Sequence, residues 1–259
     1  MKKSDAVVFL TGGVGDQVCA SGAINALYKK NNKKVYILTD KPTLFYEEDY
    51  CKDIIDLSFL NNSGNEDRSK FFNNFNKVHL LTWQTENHIK GKSHSIKNYC
   101  EQLDVDEVKY PYFKIDTQKL KKFFLKKPYI LVSFNRKEIS EDFISKKSKY
   151  FTKKRALELT LNLKKDLPKF EILDLADIKT NNLKELIYSV ANCITFVSVD
   201  TALQHMAANE VMKKKGVVLW NNKENVEIYG YKHNINLINN FVHPYDDYEV
   251  ILHNLKKLI

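Results

Sequence analysis

Arginine is nearly missing from this sequence. Of 41 Lys and Arg residues in a chain of 259, only Arg68, Arg136 and Arg155 are arginine, and the formal net charge is +9. Dedicated nucleic-acid binders invest in arginine, whose planar fork grips phosphate and guanine at two points. The basicity therefore reads as a solvated lysine surface, one that would still draw in an anionic substrate. Cysteine is scarce as well. Cys19, Cys51, Cys100 and Cys193 lie far apart with no Cys-x-x-Cys pair, which excludes a zinc knuckle or a disulfide framework and leaves reduced, mostly buried thiols. No run approaches the roughly 20 apolar residues that a membrane-spanning helix needs. The opening Met1-Lys2-Lys3-Ser4-Asp5 precedes too short an apolar stretch for a signal peptide, so a cytoplasmic location is expected.

What is present is an alternation of apolar runs and amphipathic stretches. Strands are expected at Asp5–Thr11, Lys34–Thr39 and Lys77–Trp83, with a helix from Asp16 to Lys30 and a loop bearing one short helix over Asn61–Asn76. A lysine-rich helix or linker, Lys119–Lys127, ends at Pro128, and the pattern then restarts. Strands at Tyr129–Phe134, Phe170–Leu175, Ile194–Val199 and Gly216–Trp220 alternate with helices at Thr152–Asp166, Asn182–Asn192 and Thr201–Lys213, and a last helix covers Asp246–Leu258. Such alternation implies right-handed βαβ crossovers and parallel sheets. The restart divides the chain into two Rossmann-like domains, 1–127 and 128–259, and two such halves would place a ligand cleft between the carboxyl ends of their strands.

Two segments could carry chemistry. The first is Thr11-Gly12-Gly13-Val14-Gly15-Asp16-Gln17-Val18, directly after the first strand. Its glycines allow a tight turn and a close approach to a ligand. A dinucleotide fingerprint fails because Val18 stands where the third glycine belongs, and no Gly-Lys-Ser/Thr completes a P-loop. Asp16 could equally be a first-turn helix acid. The second segment is Phe196-Val197-Ser198-Val199-Asp200-Thr201-Ala202-Leu203-Gln204-His205-Met206-Ala207. Thr201 and His205 are four apart and share one helical face. Leu203, Met206 and Ala207 can pack inward, which turns Thr201, Ala202 and His205 toward the rim. The free N–H groups of such a helix start suit a phosphate or diphosphate.

Taken together, Gly15-Asp16 and the Asp200-Thr201-x-x-x-His205 segment resemble glycosyltransferase family 9, which includes the ADP-heptose:lipopolysaccharide heptosyltransferases. Gly216-Val217-Val218-Leu219-Trp220 and Ile228-Tyr229-Gly230-Tyr231 extend the resemblance across the chain. It implies a GT-B fold, an acceptor-binding domain over 1–127 and a nucleotide-sugar-binding domain over 128–259. It implies Asp16 as the general base, with Gly13 and Gly15 on the acceptor side. Asp200, Thr201, Ala202 and His205 would hold the donor diphosphate. Lys149, ahead of Tyr150-Phe151, and Asn135 and Arg136, just after the strand ending at Phe134, would add phosphate contacts.

The sequence departs from the family at Ala202, where glycine is usual, and at Asn221-Asn222-Lys223, where Gly-Pro-Thr is usual. The implied reaction is inverting transfer from a nucleotide-diphosphate sugar to a hydroxyl acceptor such as a lipopolysaccharide-core glycan. Helix dipole, Lys149 and His205 would supply the positive potential, with no metal or cofactor. The alternatives are a phage-type transferase acting on hydroxylated bases of DNA, or a nucleotide-sugar-binding homologue without turnover.

Overall fold

The computed structural model describes residues 5–61, 63–82, 85–86, 90, 93–122, 127–134, 150–239 and 244–259. The chain divides into two compact units. One comprises Met1–Lys114 with Asn182–Lys184, the other Ile115–Asn181 with Glu185–Ile259.

The first unit holds four parallel strands, β1 (Val7–Leu10), β2 (Val35–Thr39), β3 (Cys51–Asp56) and β4 (Val78–Leu81), in the order β3-β2-β1-β4. Helix α1 (Val14–Asn31) links β1 to β2. Helices α2 (Ser58–Asn61) and α3 (Asn65–Asn73) link β3 to β4, so the short helix expected within Asn61–Asn76 is the nine-residue α3. The chain moves in opposite directions along the sheet in these two crossovers. Right-handed connections therefore put α1 and the α2–α3 pair on opposite faces. The α2–α3 face buries Val7, Leu38, Leu60 and Phe75, with Phe71 and Phe72 half-buried against them. The Phe71–Phe75 stretch is thus packing.

Helix α1 is buried continuously from Gln17 to Asn25, because α4 (Ser95–Leu103) packs against it. Gly22 is obligatory at that crowded spot: a Cβ there would lie 2.3 Å from the Tyr110 carbonyl oxygen. Asn32, in the left-handed conformation at φ 49°, ends the helix.

The second unit opens with α5 (Thr117–Lys122) and holds five parallel strands, β5 (Tyr129–Ser133), β6 (Glu171–Asp174), β7 (Thr195–Ser198), β8 (Gly216–Trp220) and β9 (Ile235–Ile238), ordered β6-β5-β7-β8-β9. Helices α6 (Lys153–Asp166) and α10 (Tyr248–Lys256) cover one face, where Ala156, Leu159, Leu163, Ile251 and Leu255 meet Ile130, Val132, Val197 and Val217. Asp247 caps α10 by accepting the Val250 N–H at 3.2 Å, within the helix expected over Asp246–Leu258. Helices α7 (Leu183–Asn192), α8 (Ala202–Ala207) and α9 (Lys223–Tyr229) follow the crossovers running the other way.

Helix α8 is much shorter than the expected Thr201–Lys213. Ala208 caps it, and the Asn209 carboxamide then accepts the Val211 N–H at 3.1 Å, which offers the backbone a turn in place of another helical bond. Among the described residues no helix is long and apolar enough to cross a membrane.

Candidate functional site

In open parallel sheets, ligands bind at the carboxyl ends of strands where the strand order reverses. The first unit reverses between β1 and β4, the second between β5 and β7. Each segment singled out in the sequence lies at one of these points. Gly12–Asp16 follows β1, and Val199–Thr201 follows β7.

In the first unit, Gly12 takes φ +112°, a conformation that strains any other residue. Gly13 caps α1 in extended backbone, and its N–H donates to Asp16 Oδ2 at 2.9 Å. Gly15 and the half-exposed Asp16 occupy the first turn of α1. The carboxylate is thus a first-turn helix acid held back over the glycine turn, where it is still reachable from solvent. Beneath it is a network that the sequence reading missed. Gln17 is fully buried, and its Nε2 donates to the Gly12 carbonyl at 3.3 Å and to Asp40 Oδ1 at 2.6 Å. Its Oε1 accepts the Thr39 hydroxyl at 2.5 Å, and Thr39 Oγ1 in turn accepts the Lys41 N–H at 3.0 Å. Thr39 and Asp40 belong to the carboxyl end of β2, and nothing in the sequence links them to Gln17.

In the second unit, the end of β7 carries a buried polar cluster. Asp200 accepts from Gln204 Nε2 at 2.7 Å, and His205 Nε2 lies 3.7 Å from the same carboxylate oxygen. His205 Nδ1 is 3.0 Å from the Tyr231 hydroxyl, with the two rings edge to face. His205 is 5% exposed, so it is not the rim histidine that the helical spacing suggests. Because α8 is short and its start lies inside the unit, the imidazole is enclosed by Asp200 and Tyr231.

Leu203, Met206 and Ala207 pack inward as expected. Thr201 is the N-cap residue, yet its hydroxyl makes no capping bond. Among the described residues, Ser198 Oγ, Thr201 Oγ1 and Gln204 Oε1 are buried without a hydrogen-bond partner. Buried polar atoms are nearly always satisfied, so three orphans at one strand end fit a site whose polar ligand completes them. Ala202 is the first residue of α8, beside those orphans.

Asn135, Arg136 and Lys149 lie outside the described residues. His94 caps α4, its Nδ1 accepting the Ile96 N–H at 3.2 Å. The expectation of a metal-free reaction rests in part on reading no Asp-x-Asp motif, the pattern that holds a metal in some transferases, but one is present at Asp104-Val105-Asp106. Asp104 is the left-handed C-cap of α4 and pairs with Lys30 at 3.2 Å. Among the described residues no group of three or more His, Cys, Asp or Glu could hold a metal ion.

A further buried charge pair lies within the first unit. Glu48 and Lys184 form an ion pair with both side chains almost fully enclosed, and the Lys114 N–H donates to Glu48 Oε2 at 3.1 Å. Burial pushes the Glu48 carboxyl up to about 7, the charge and hydrogen bond of Lys184 offsetting part of that effect.

No protein-family model matches the chain, and comparison with curated proteins finds no match. Solved structures do match. A glycosyl transferase family 9 structure from Veillonella parvula superposes with a TM-score of 0.64 at 13% identity, covering 100% of this chain and 98% of that one. The ADP-heptose lps heptosyltransferase II of E. coli gives 0.68 at 11% identity, with 98% of each chain covered. The E. coli heptosyltransferase WaaC with ADP gives 0.59 at 11% identity, covering 99% and 100%. The likeness extends over essentially the whole chain and establishes a shared fold.

Proposed function

We propose that the chain is a glycosyltransferase that moves a sugar from a nucleotide-diphosphate donor to a hydroxyl acceptor. The observation that carries this reading is the coincidence of fold and site. The shared fold is that of sugar-nucleotide transferases, and both chemistry-bearing segments lie at the strand-order reversals where such folds take ligands.

A nucleotide sugar already carries a good leaving group, so catalysis needs a base at the acceptor and positive potential at the departing diphosphate. Asp16 is the base in this proposal: Gly13 N–H holds one carboxylate oxygen, and the acceptor hydroxyl gives its proton to the carboxylate as its oxygen attacks the anomeric carbon. Direct attack inverts that carbon. The diphosphate is received at the start of α8, where the backbone N–H groups at Ala202, the Thr201 hydroxyl and Ser198 Oγ offer donors that lack protein partners or precede the first helical bonds. Asp200, through Gln204 and His205, fixes the geometry of that helix start. Asn135, Arg136 and Lys149 are assigned as additional phosphate contacts from the sequence resemblance. Neither a cofactor nor a metal is required for these steps.

The donor class is taken from the neighbours' description as ADP-heptose and ADP-bound enzymes, and the acceptor class from the description of one of them as an lps heptosyltransferase. Titration calorimetry with ADP and other nucleoside diphosphates, followed by mass spectrometry of donor and acceptor mixtures, tests the proposal. Micromolar binding together with sugar transfer is expected. Absence of any nucleoside-diphosphate binding would overturn it. Retention on DNA with a steep salt slope would favour the DNA-modifying alternative instead.

A further inference from the structure

We infer that Gln17 is the positioning residue of this site, locking the glycine turn and Asp16 to the carboxyl end of β2; the inference concerns catalysis only insofar as Asp16 is the base proposed above. Gln17 directly follows Asp16 in α1 and is fully buried. A primary carboxamide has two N–H donors and one carbonyl acceptor. Here both donors and the acceptor are used, each on a different chain segment. One donor reaches the Gly12 carbonyl, the other Asp40, and the acceptor takes the Thr39 hydroxyl.

The backbone closes the rest of the knot. Gln17 N–H donates to the Gly13 carbonyl at 3.2 Å, while Gly13 N–H donates to Asp16 Oδ2. Gly12 and Gly13 have few intrinsic conformational constraints, and Gly12 sits at positive φ. Without an external tie, a turn of this composition would sample several geometries, and the Asp16 carboxylate would move with it. Gln17 supplies that tie from inside the core, where water cannot compete for its bonds. An apolar side chain of similar length would fill the same volume and leave the Gly12 carbonyl and the Thr39 hydroxyl without their side-chain partner. The role is therefore one of orientation, exerted through Asp16, with no contact to substrate.

The test uses the full chain and two readouts. Hydrogen exchange by mass spectrometry on Gln17→Met is expected to accelerate in peptides covering residues 10–17, with the remainder of the chain unchanged. In steady-state assays the same variant should lose about 10²-fold in kcat, the scale expected for a misplaced catalytic group, with ADP affinity kept within about twofold. Gln17→Glu should behave similarly and serves if Gln17→Met does not fold. Adding Asp40→Asn to Gln17→Glu reverses the donor and acceptor across that contact and should recover part of kcat.

Unchanged exchange over residues 10–17 in both single variants would overturn the inference, and so would equal losses of kcat and ADP affinity. If the wild-type chain transfers no sugar from any donor, exchange alone decides the role of Gln17, and only the transferase proposal falls.

Discussion

His205 Nδ1 stands 3.0 Å from the Tyr231 hydroxyl, and both side chains are buried to about 95% or more. The other ring nitrogen faces Asp200 at 3.7 Å. A neutral imidazole has one donor and one acceptor nitrogen, so the partner on each side fixes the tautomer and the ring plane together. Tyr231→Phe removes a single oxygen and keeps the edge-to-face ring contact with His205. It should cost about 0.5–1.5 kcal/mol of stability and weaken ADP binding about 3–10-fold, the scale of one net hydrogen bond. Urea denaturation and calorimetry measure the two effects. Wild-type ADP affinity in this variant would detach Tyr231 from the donor site.

Asp16 has two separable duties, and two substitutions split them. Asp16→Asn retains an oxygen for the Gly13 N–H but cannot accept a proton, whereas Asp16→Ala loses both. Transfer should fall about 10²–10⁴-fold in each, as expected when a general base is lost. Only the alanine variant should also lose about 0.5–2 kcal/mol of stability, the usual value of such a helix-start bond. Donor binding should survive in both. Near-wild-type turnover in Asp16→Asn would refute the base assignment.

The parts of the fold that could be read from the sequence were those with strong apolar runs. β1, β2, β5 and β8 are almost wholly buried, and their Val, Ile and Leu content announces them. β3 was missed because Cys51–Asp56 is half-exposed and carries Lys52, Asp53 and Asp56 at the edge of its sheet. The half-buried β9, also at an edge, and α4, whose polar residues Ser95 and Asn98 are buried, gave similarly weak signals. Asp16 and Asp200-Thr201 were legible because glycine turns and strand-to-helix caps leave local marks. Gln17 was not, since its partners Thr39 and Asp40 lie more than twenty residues away and meet it only after β1 and β2 have paired.

Glu48 gives the stability of the chain a pH dependence of defined sign. Its carboxyl rises from about 4.5 to about 7 on folding, so the neutral form is favoured in the native state. The corresponding stabilisation is complete below the unfolded value and is lost as pH rises toward 7. Glu48→Gln should abolish this dependence. The difference in unfolding free energy between wild type and variant should therefore shift against the wild type between pH 4.5 and 8, on the order of 1–3 kcal/mol. Burial pulls the imidazoles of His79 and His233 below their ordinary value, which acts in the opposite sense. Both are present in the two proteins and cancel in the difference. A pH-independent difference would sink the assignment.

Gly216 opens β8 directly opposite Phe196 of β7, and a Cβ there would lie 2.4 Å from the phenyl ring. Gly216→Ala should destabilise by about 1–3 kcal/mol, the usual cost of overpacking. Phe196→Leu in the same chain should recover part of that loss, giving a coupling of about 0.5 kcal/mol or more in a double-mutant cycle. Additive effects from thermal or urea melts would show that the backbone absorbs the clash elsewhere.

The register of the first sheet also shapes how the polypeptide is made. β1 is its second-from-edge strand, bonded on one side to β2 and on the other to β4, with Val7 opposite Val78. As synthesis proceeds from the amino terminus, β1 and β2 can dock early, but the remaining flank of β1 offers open amides and carbonyls until Val78–Leu81 emerges. A nascent chain in that interval has a strand edge exposed to mispairing with a neighbour on the same messenger. Slower translation across residues 40–75 should accordingly lower the soluble yield, and faster passage should raise it.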